Sequence, residues 1–101
     1  MIAELEDDTF YEYIEHGLKT VWFTAPWCGY CTRQKAILEE MFDISTGIIN
    51  SEESPLITHK FNVTAFPTLI IFKNGMEVNR YLGLKDKFEI MNILTEYIKK
   101  K

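Results

Sequence analysis

Residues 21–31 read Val-Trp-Phe-Thr-Ala-Pro-Trp-Cys-Gly-Tyr-Cys and contain both cysteines of the chain. The apolar run that opens this stretch predicts a strand, and Pro26 closes it. Ile37, Leu38 and Met41 follow at helical spacing, which predicts a helix that begins at the cysteines. The two thiols are therefore expected where a strand is followed by a helix.

Cys28 occupies the predicted N-terminus of that helix. Backbone N–H groups without an internal partner and the positive end of the helix dipole both favour thiolate over thiol there. Cys31 follows at i+3, on the same face of the first turn and within reach of the first sulfur. We therefore expect an exposed Cys28 as nucleophile and Cys31 as resolving thiol, in a thiol-disulfide redox site.

Length and composition limit the class of protein. A chain of 101 residues that is 47% hydrophobic predicts a single domain over residues 1–101. Fifteen acidic against eleven basic residues give a net charge of -4, which argues against nucleic acid as a partner. Residues 1–20 lack the pattern of a signal peptide, and no apolar run is long enough to span a bilayer, which predicts a soluble cytoplasmic protein without a membrane partner. Lys99, Lys100 and Lys101 are expected to form a solvated helix end.

Hydrophobic periodicity and turn residues divide the chain into alternating strands and helices. The order is β-α-β-α-β-α, then a β-hairpin at Asn74-Gly75, then a helix. This order predicts an α/β protein with a mixed sheet and helices on both faces. The predicted strands are 1–5, 19–25, 46–50, 68–72 and 76–82, and the predicted helices are 8–16 with Asp7 or Asp8 as N-cap, 28–41, 55–61 and 85–99.

Three separated stretches resemble the thioredoxin family. They are residues 21–31, the sequence Ala-Phe-Pro-Thr-Leu-Ile-Ile-Phe-Lys-Asn-Gly at residues 65–75, and Gly83 after the hairpin. The resemblance covers essentially the whole chain. It implies a thioredoxin fold, in which a central mixed five-stranded sheet of order 1-3-2-4-5 is flanked by four helices.

The resemblance also implies an activity and a site. Cys28 would attack a disulfide of a protein substrate, and Cys31 would resolve the mixed disulfide. Pro67 would be in the cis form, facing the cysteines, with the backbone of Phe66 open to an extended substrate. The implied protein is a monomer without a cofactor, and a reductase such as a thioredoxin reductase would recharge it. The implied substrate-binding residues are Trp27, Gly29, Tyr30, Phe66, Pro67, Leu82 and Gly83.

Two departures from the family pattern affect the chemistry. Gly29-Tyr30 stands between the cysteines where Gly-Pro is common, so the direction of electron flow does not follow from the resemblance. Trp22 stands where the family often has a buried Asp, and Ile48 lies near the position of its lysine partner. We therefore expect a raised pKa at Cys31 and slow resolution, unless water or another carboxylate relays the proton.

Three other functions are compatible with the sequence. A glutaredoxin-like enzyme would use glutathione, although the Thr-Val-Pro and Gly-Gly sequences usual in that class are absent. The chain could instead be a docking subunit in which the thiols are incidental. Metal binding by Cys28, Cys31, His16 and His59 would need four ligands that converge from separate helices.

Overall fold

The computed structural model describes residues 1–99, so that Lys100 and Lys101 lie outside the described part of the chain. Within residues 1–99 the chain forms five strands and four helices. In chain order these are β1 (Ile2–Leu5), α1 (Phe10–Ile14), β2 (Leu18–Thr24), α2 (Gly29–Glu39), β3 (Thr46–Asn50), α3 (Pro55–Lys60), β4 (Thr68–Lys73), β5 (Met76–Leu82) and α4 (Lys87–Lys99).

The strands form one sheet of order β1-β3-β2-β4-β5, which confirms the expected fold. β3 lies between β1 and β2 and is parallel to both. β4 is antiparallel to β2 and to β5. Every residue of β3 except the last is buried, as expected of an inner strand in a sheet that is covered on both faces.

Two hydrophobic cores lie on opposite faces of the sheet. One core contains Phe10 of α1 and Ile57 of α3, packed against apolar residues of the strands. The other contains Leu38 of α2 and Ile90 of α4, packed against Trp22 and its neighbours on the other face. The prediction of helices on both faces is therefore confirmed.

The start of α1 corrects the sequence prediction. The N-cap is Thr9, so the expected cap at Asp7 or Asp8 is wrong. Asp7 instead accepts a hydrogen bond from the backbone N–H of Ile57 at 3.0 Å, which ties the loop before α1 to the first turn of α3. Gly17, two residues after the C-cap Glu15, has φ +72, a backbone conformation that favours glycine.

The other helices are also slightly shorter than predicted. α2 ends at Glu39 and α3 at Lys60, within two residues of the expected ends. α4 begins at Lys87 because Asp86 and Glu89 form a capping box: each side chain accepts from the other's backbone N–H, at 2.9 and 3.1 Å.

Two expected backbone features are present, the hairpin turn and the cis-proline. Asn74 and Gly75 have φ values of 50 and 85, as the type I′ hairpin requires. The Phe66–Pro67 peptide bond is cis, which confirms the expectation drawn from the family resemblance.

Candidate active site

Three segments that are distant in sequence meet at one edge of the sheet. The register pairs Phe23 at the end of β2 with Thr68 at the start of β4. Thr68 in turn pairs with Leu82 at the end of β5. The cysteines after β2, the cis-proline segment before β4 and the loop after β5 are therefore neighbours.

Cys28 is the N-cap residue of α2 and has an extended backbone, with φ −94 and ψ 112. The backbone N–H of Cys31 donates a hydrogen bond to the Cys28 sulfur at 3.2 Å. A sulfur thus takes the place of the side-chain oxygen that usually accepts at a helix start. The predicted position of Cys28 at the N-terminus of a helix is confirmed.

The expected exposure of Cys28 is wrong. Cys28 retains 7% of its accessible surface and Cys31 retains 5%. The cis-proline segment covers the first sulfur, since the Cys28 thiol lies 3.5 Å from the Phe66 carbonyl oxygen and donates to it. Phe66 packs against the buried cluster formed by Ala25, Cys28 and Cys31.

Cys31 has a raised pKa, as the sequence predicts. Burial is the main cause, and a hydrogen bond with the Cys28 side chain adds to it; together they raise the pKa of Cys31 to about 12. A backbone hydrogen bond with Ala25 acts in the opposite direction. Both thiols are free in this structure, which therefore corresponds to the reduced, dithiol form.

The positions expected for a proton-relay pair hold a packed apolar pair. Trp22 and Ile48 are register partners on β2 and β3, and both belong to the core beneath α2 and α4. Trp22 is 1% exposed. A cavity of about 350 Å³ borders Cys31 instead, and charged side chains of Glu4, Glu6, Lys35 and Glu53 are among those that line it.

The residues predicted to bind substrate lie in the three segments that meet at this edge of the sheet. Trp27 is 70% exposed and places its ring edge on Phe66, with the centroids 5.9 Å apart. Tyr30 is 60% exposed and Leu82 is 62% exposed. Gly29 is exposed, and Pro67 is buried beneath them. Gly83 has φ +90, and its backbone N–H donates to the Pro67 carbonyl at 2.8 Å, so the loop after β5 is fixed to the cis-proline.

Gln34 is a residue at this site that sequence reasoning missed. Its side chain is fully buried on α2 and forms two hydrogen bonds with the backbone of Lys85. The helical period contained the signal: Gln34 lies three residues before Ile37 and four before Leu38, on the face predicted to be buried. Its polar character obscured that position.

The histidines do not join the cysteines. The His16 side chain is 87% exposed and lies 3.8 Å from the Glu15 carboxylate, and His59 is exposed on α3. In residues 1–99 no three side chains of His, Cys, Asp or Glu are grouped so as to hold a metal ion. No helix in that part of the chain has the length and apolar character to cross a membrane.

A family model described as Thioredoxin matches residues 1–96 of the chain. The chain belongs to the thioredoxin family. Thioredoxin of Chlamydia pneumoniae is 37% identical over 101 residues, covering 96% of this chain and 99% of the relative. Thioredoxin of Staphylococcus haemolyticus is 34% identical over 102 residues, with 96% and 98% covered. A crystal structure of Malassezia sympodialis thioredoxin, 22% identical, has the same fold, with a TM-score of 0.82 over 95% of this chain and 90% of that one.

As a member of the thioredoxin family with a Cys28-x-x-Cys31 pair, the protein is a thiol-disulfide oxidoreductase. It catalyses the reduction of protein disulfides or thiol-disulfide exchange. In general terms, its partners are proteins with disulfides and a reductase. The thioredoxin relatives do not favour the glutaredoxin-like function or the docking subunit.

Proposed function

We propose that Cys28 is the attacking thiol and Cys31 the resolving thiol of a reductase for protein disulfides. The observation that carries this assignment is the 3.2 Å hydrogen bond from the Cys31 N–H to the Cys28 sulfur. A donor aimed at that sulfur stabilises a thiolate more than a neutral thiol. The Cys31 sulfur, in contrast, lies in surroundings that raise its pKa to about 12.

The reaction proceeds in two exchange steps. The Cys28 thiolate attacks one sulfur of the substrate disulfide, forms a mixed disulfide and releases the other substrate sulfur as a thiolate that takes up a proton. Cys31 then loses its proton and attacks the Cys28 sulfur. The second substrate thiol leaves, and the Cys28–Cys31 disulfide remains. The substrate has gained two electrons, which a partner reductase returns to the protein.

The substrate groove of this proposal runs over the Cys28 sulfur. Its walls are Trp27 and Tyr30 on one side and Leu82 on the other, all more than half exposed. An extended substrate segment would lie along the backbone at Phe66 and gain main-chain hydrogen bonds there. The remaining members of the groove are Gly29, Pro67 and Gly83.

The broader proposal is that residues 1–101 form a single domain that works as a monomer in the cytoplasm, with a thioredoxin reductase as partner. The one sheet and its two cores, which extend across the described residues, support a single domain. Reducing conditions in the cytoplasm would keep a catalytic dithiol in its active state.

Trapping tests the roles of the two cysteines. A Cys31→Ser variant cannot resolve the mixed disulfide, so it should accumulate covalent adducts with a disulfide-containing protein. The adducts are read on a non-reducing gel and should disappear with dithiothreitol. A Cys28→Ser variant is the matched control and should trap nothing. Adducts through Cys31 in the Cys28→Ser protein would overturn the assignment.

A further inference from the structure

Gln34 is a buried polar residue in an otherwise apolar helix interface. Its side chain is 0% exposed, and Leu38, one turn further along α2, belongs to the apolar core that also contains Ile90 of α4. A buried amide costs free energy unless both of its ends are hydrogen-bonded. Here Nε2 donates to the Lys85 carbonyl at 3.0 Å, and Oε1 accepts from the Lys85 N–H at 2.7 Å. The amide is thus fully paired with the backbone of one residue.

Lys85 belongs to the segment that forms one wall of the proposed groove. The segment of residues 82–85 begins at exposed Leu82 and ends just before Asp86, the N-cap residue of α4. Gly83 donates to the Pro67 carbonyl at 2.8 Å, and the Lys85 ammonium donates to the Leu82 carbonyl at 2.7 Å. The segment is therefore fixed at one end by the cis-proline and at the other by Gln34.

The same helix carries the resolving thiol and the amide. Gln34 lies three residues after Cys31, and both side chains point to the buried face of α2. Because α2 is a continuous helix from Gly29 to Glu39, Gln34 lies at a fixed distance from the cysteines. The hydrogen bonds of Gln34 therefore hold Lys85 at a fixed distance from the cysteines as well. An apolar side chain of similar size would fill the space without holding the segment in position.

We propose that Gln34 is a positioning residue that holds the 82–85 segment at the correct distance from the cysteines and thereby sets the affinity for protein disulfides. This inference rests on the proposed function, because the segment is a wall of the proposed groove. A small disulfide reaches the Cys28 sulfur without using that wall. Loss of the amide should therefore weaken the reduction of proteins and leave the reduction of small disulfides unchanged.

The test compares Gln34→Met with the wild-type protein on two substrates, insulin and 5,5′-dithiobis(2-nitrobenzoic acid). KM for insulin should rise about fivefold or more, because the change removes two hydrogen bonds and one alone is worth about that factor, with kcat within about twofold of wild type. The rate with the small disulfide should stay within about twofold. Ala36→Met places the same side chain at an exposed position of α2 and is the matched control, with wild-type values expected for both substrates.

A second variant guards against a folding defect. Gln34→Leu also fills the buried site with an apolar side chain and lacks both hydrogen bonds to Lys85, so its KM for insulin should rise as that of Gln34→Met does. Circular dichroism establishes that each variant is folded. An unchanged KM in a folded variant, or an equal loss with both substrates, would overturn the inference. Insulin reduction by Cys28→Ser would instead overturn the proposed function, so the two failures are distinguishable.

Discussion

At the scale of single residues, the two thiols differ in backbone surroundings rather than in burial. Both are more than nine-tenths covered. The Cys28 sulfur accepts a hydrogen bond from the Cys31 N–H, whereas the Cys31 sulfur packs next to Ala25 and has a pKa raised to about 12. These surroundings distinguish the sulfur that we propose attacks the substrate from the one that we propose resolves the mixed disulfide.

The pH dependence of resolution follows from the Cys31 pKa. Burial is the largest cause of the rise to about 12, and we expect it to persist in the mixed disulfide. At any pH below that value the thiolate fraction of Cys31 increases as pH rises. We expect the mixed disulfide to decay about tenfold faster per pH unit between roughly pH 6 and 9. Stopped-flow mixing of the reduced protein with a fluorescent disulfide peptide measures this decay.

A flat pH profile for that decay would contradict the prediction and indicate a relay group. The cavity beside Cys31 contains the candidates, since Glu4, Glu6 and Glu53 line it. Replacement of each by Gln would then identify the group, because only loss of the relay would restore the steep profile. Trp22 and Ile48 are excluded as proton carriers by their chemistry.

At the scale of elements, α2 contains both cysteines of the candidate site and the glutamine that binds Lys85. Cys28 is its N-cap residue, Cys31, the proposed resolving thiol, lies in its first turn, and Gln34 lies in the next turn. The neighbouring helix α4 starts with a capping box at Asp86, which fixes the chain immediately after Lys85. The Gln34 amide therefore links α2 to a residue that lies two positions before the start of α4.

The β4–β5 hairpin provides a test of local conformation. Asn74 has φ 50, and its side-chain oxygen accepts from the Gly17 N–H at 2.7 Å. Asn74→Ala removes this bond and places alanine in the left-handed region, so unfolding free energy should fall by about 1–3 kcal/mol. Urea denaturation measures the loss.

Asn74→Gly is the matched control for that change. Glycine tolerates the positive φ and lacks only the hydrogen bond to Gly17. The unfolding free energy should therefore fall clearly less in Asn74→Gly than in Asn74→Ala. Equal losses in the two variants would show that the left-handed backbone contributes nothing to the effect.

At the scale of the whole molecule, the strand register brings the site together. The end of β2, the start of β4 and the end of β5 are adjacent because Phe23 pairs with Thr68 and Thr68 pairs with Leu82. The edge strand β1 extends the sheet on the opposite side, where it pairs with β3.

Gly47 tests the packing at that edge. A Cβ at this position would lie 2.5 Å from Cδ1 of Leu5 and 3.2 Å from Cε2 of Tyr13. Gly47→Ala should therefore displace both side chains and destabilise the protein by about 1–3 kcal/mol. Thermal and urea unfolding measure the effect.

Gly29→Ala is the control for that substitution, because a Cβ there meets nothing within 4 Å and the residue begins a helix. Its stability should be unchanged or raised by up to about 1 kcal/mol. If both alanine variants have the same stability, the close contact at Gly47 does not constrain the sheet.

Local signals explain why so much of the fold was predictable. The helical period after Cys31, the Asn74-Gly75 turn and the β-branched strands each depend on residues within one element. The family resemblance added the strand order and the cis form of Pro67. Boundaries were less accurate because Thr9 is the N-cap of α1 without a side-chain hydrogen bond to the helix, and the start of α4 depends on the pairing of Asp86 with Glu89.

The sequence by itself determined that two thiols lie one helical turn apart at the start of a helix, because spacing and turn chemistry act over a few residues. Only the tertiary structure decided how deeply Cys28 is covered and what Gln34 binds. The amide and Lys85 are 51 positions apart in the chain, and no local pattern links them. They meet because the sheet and its two cores bring α2 against the loop before α4, which is a property of the packed molecule.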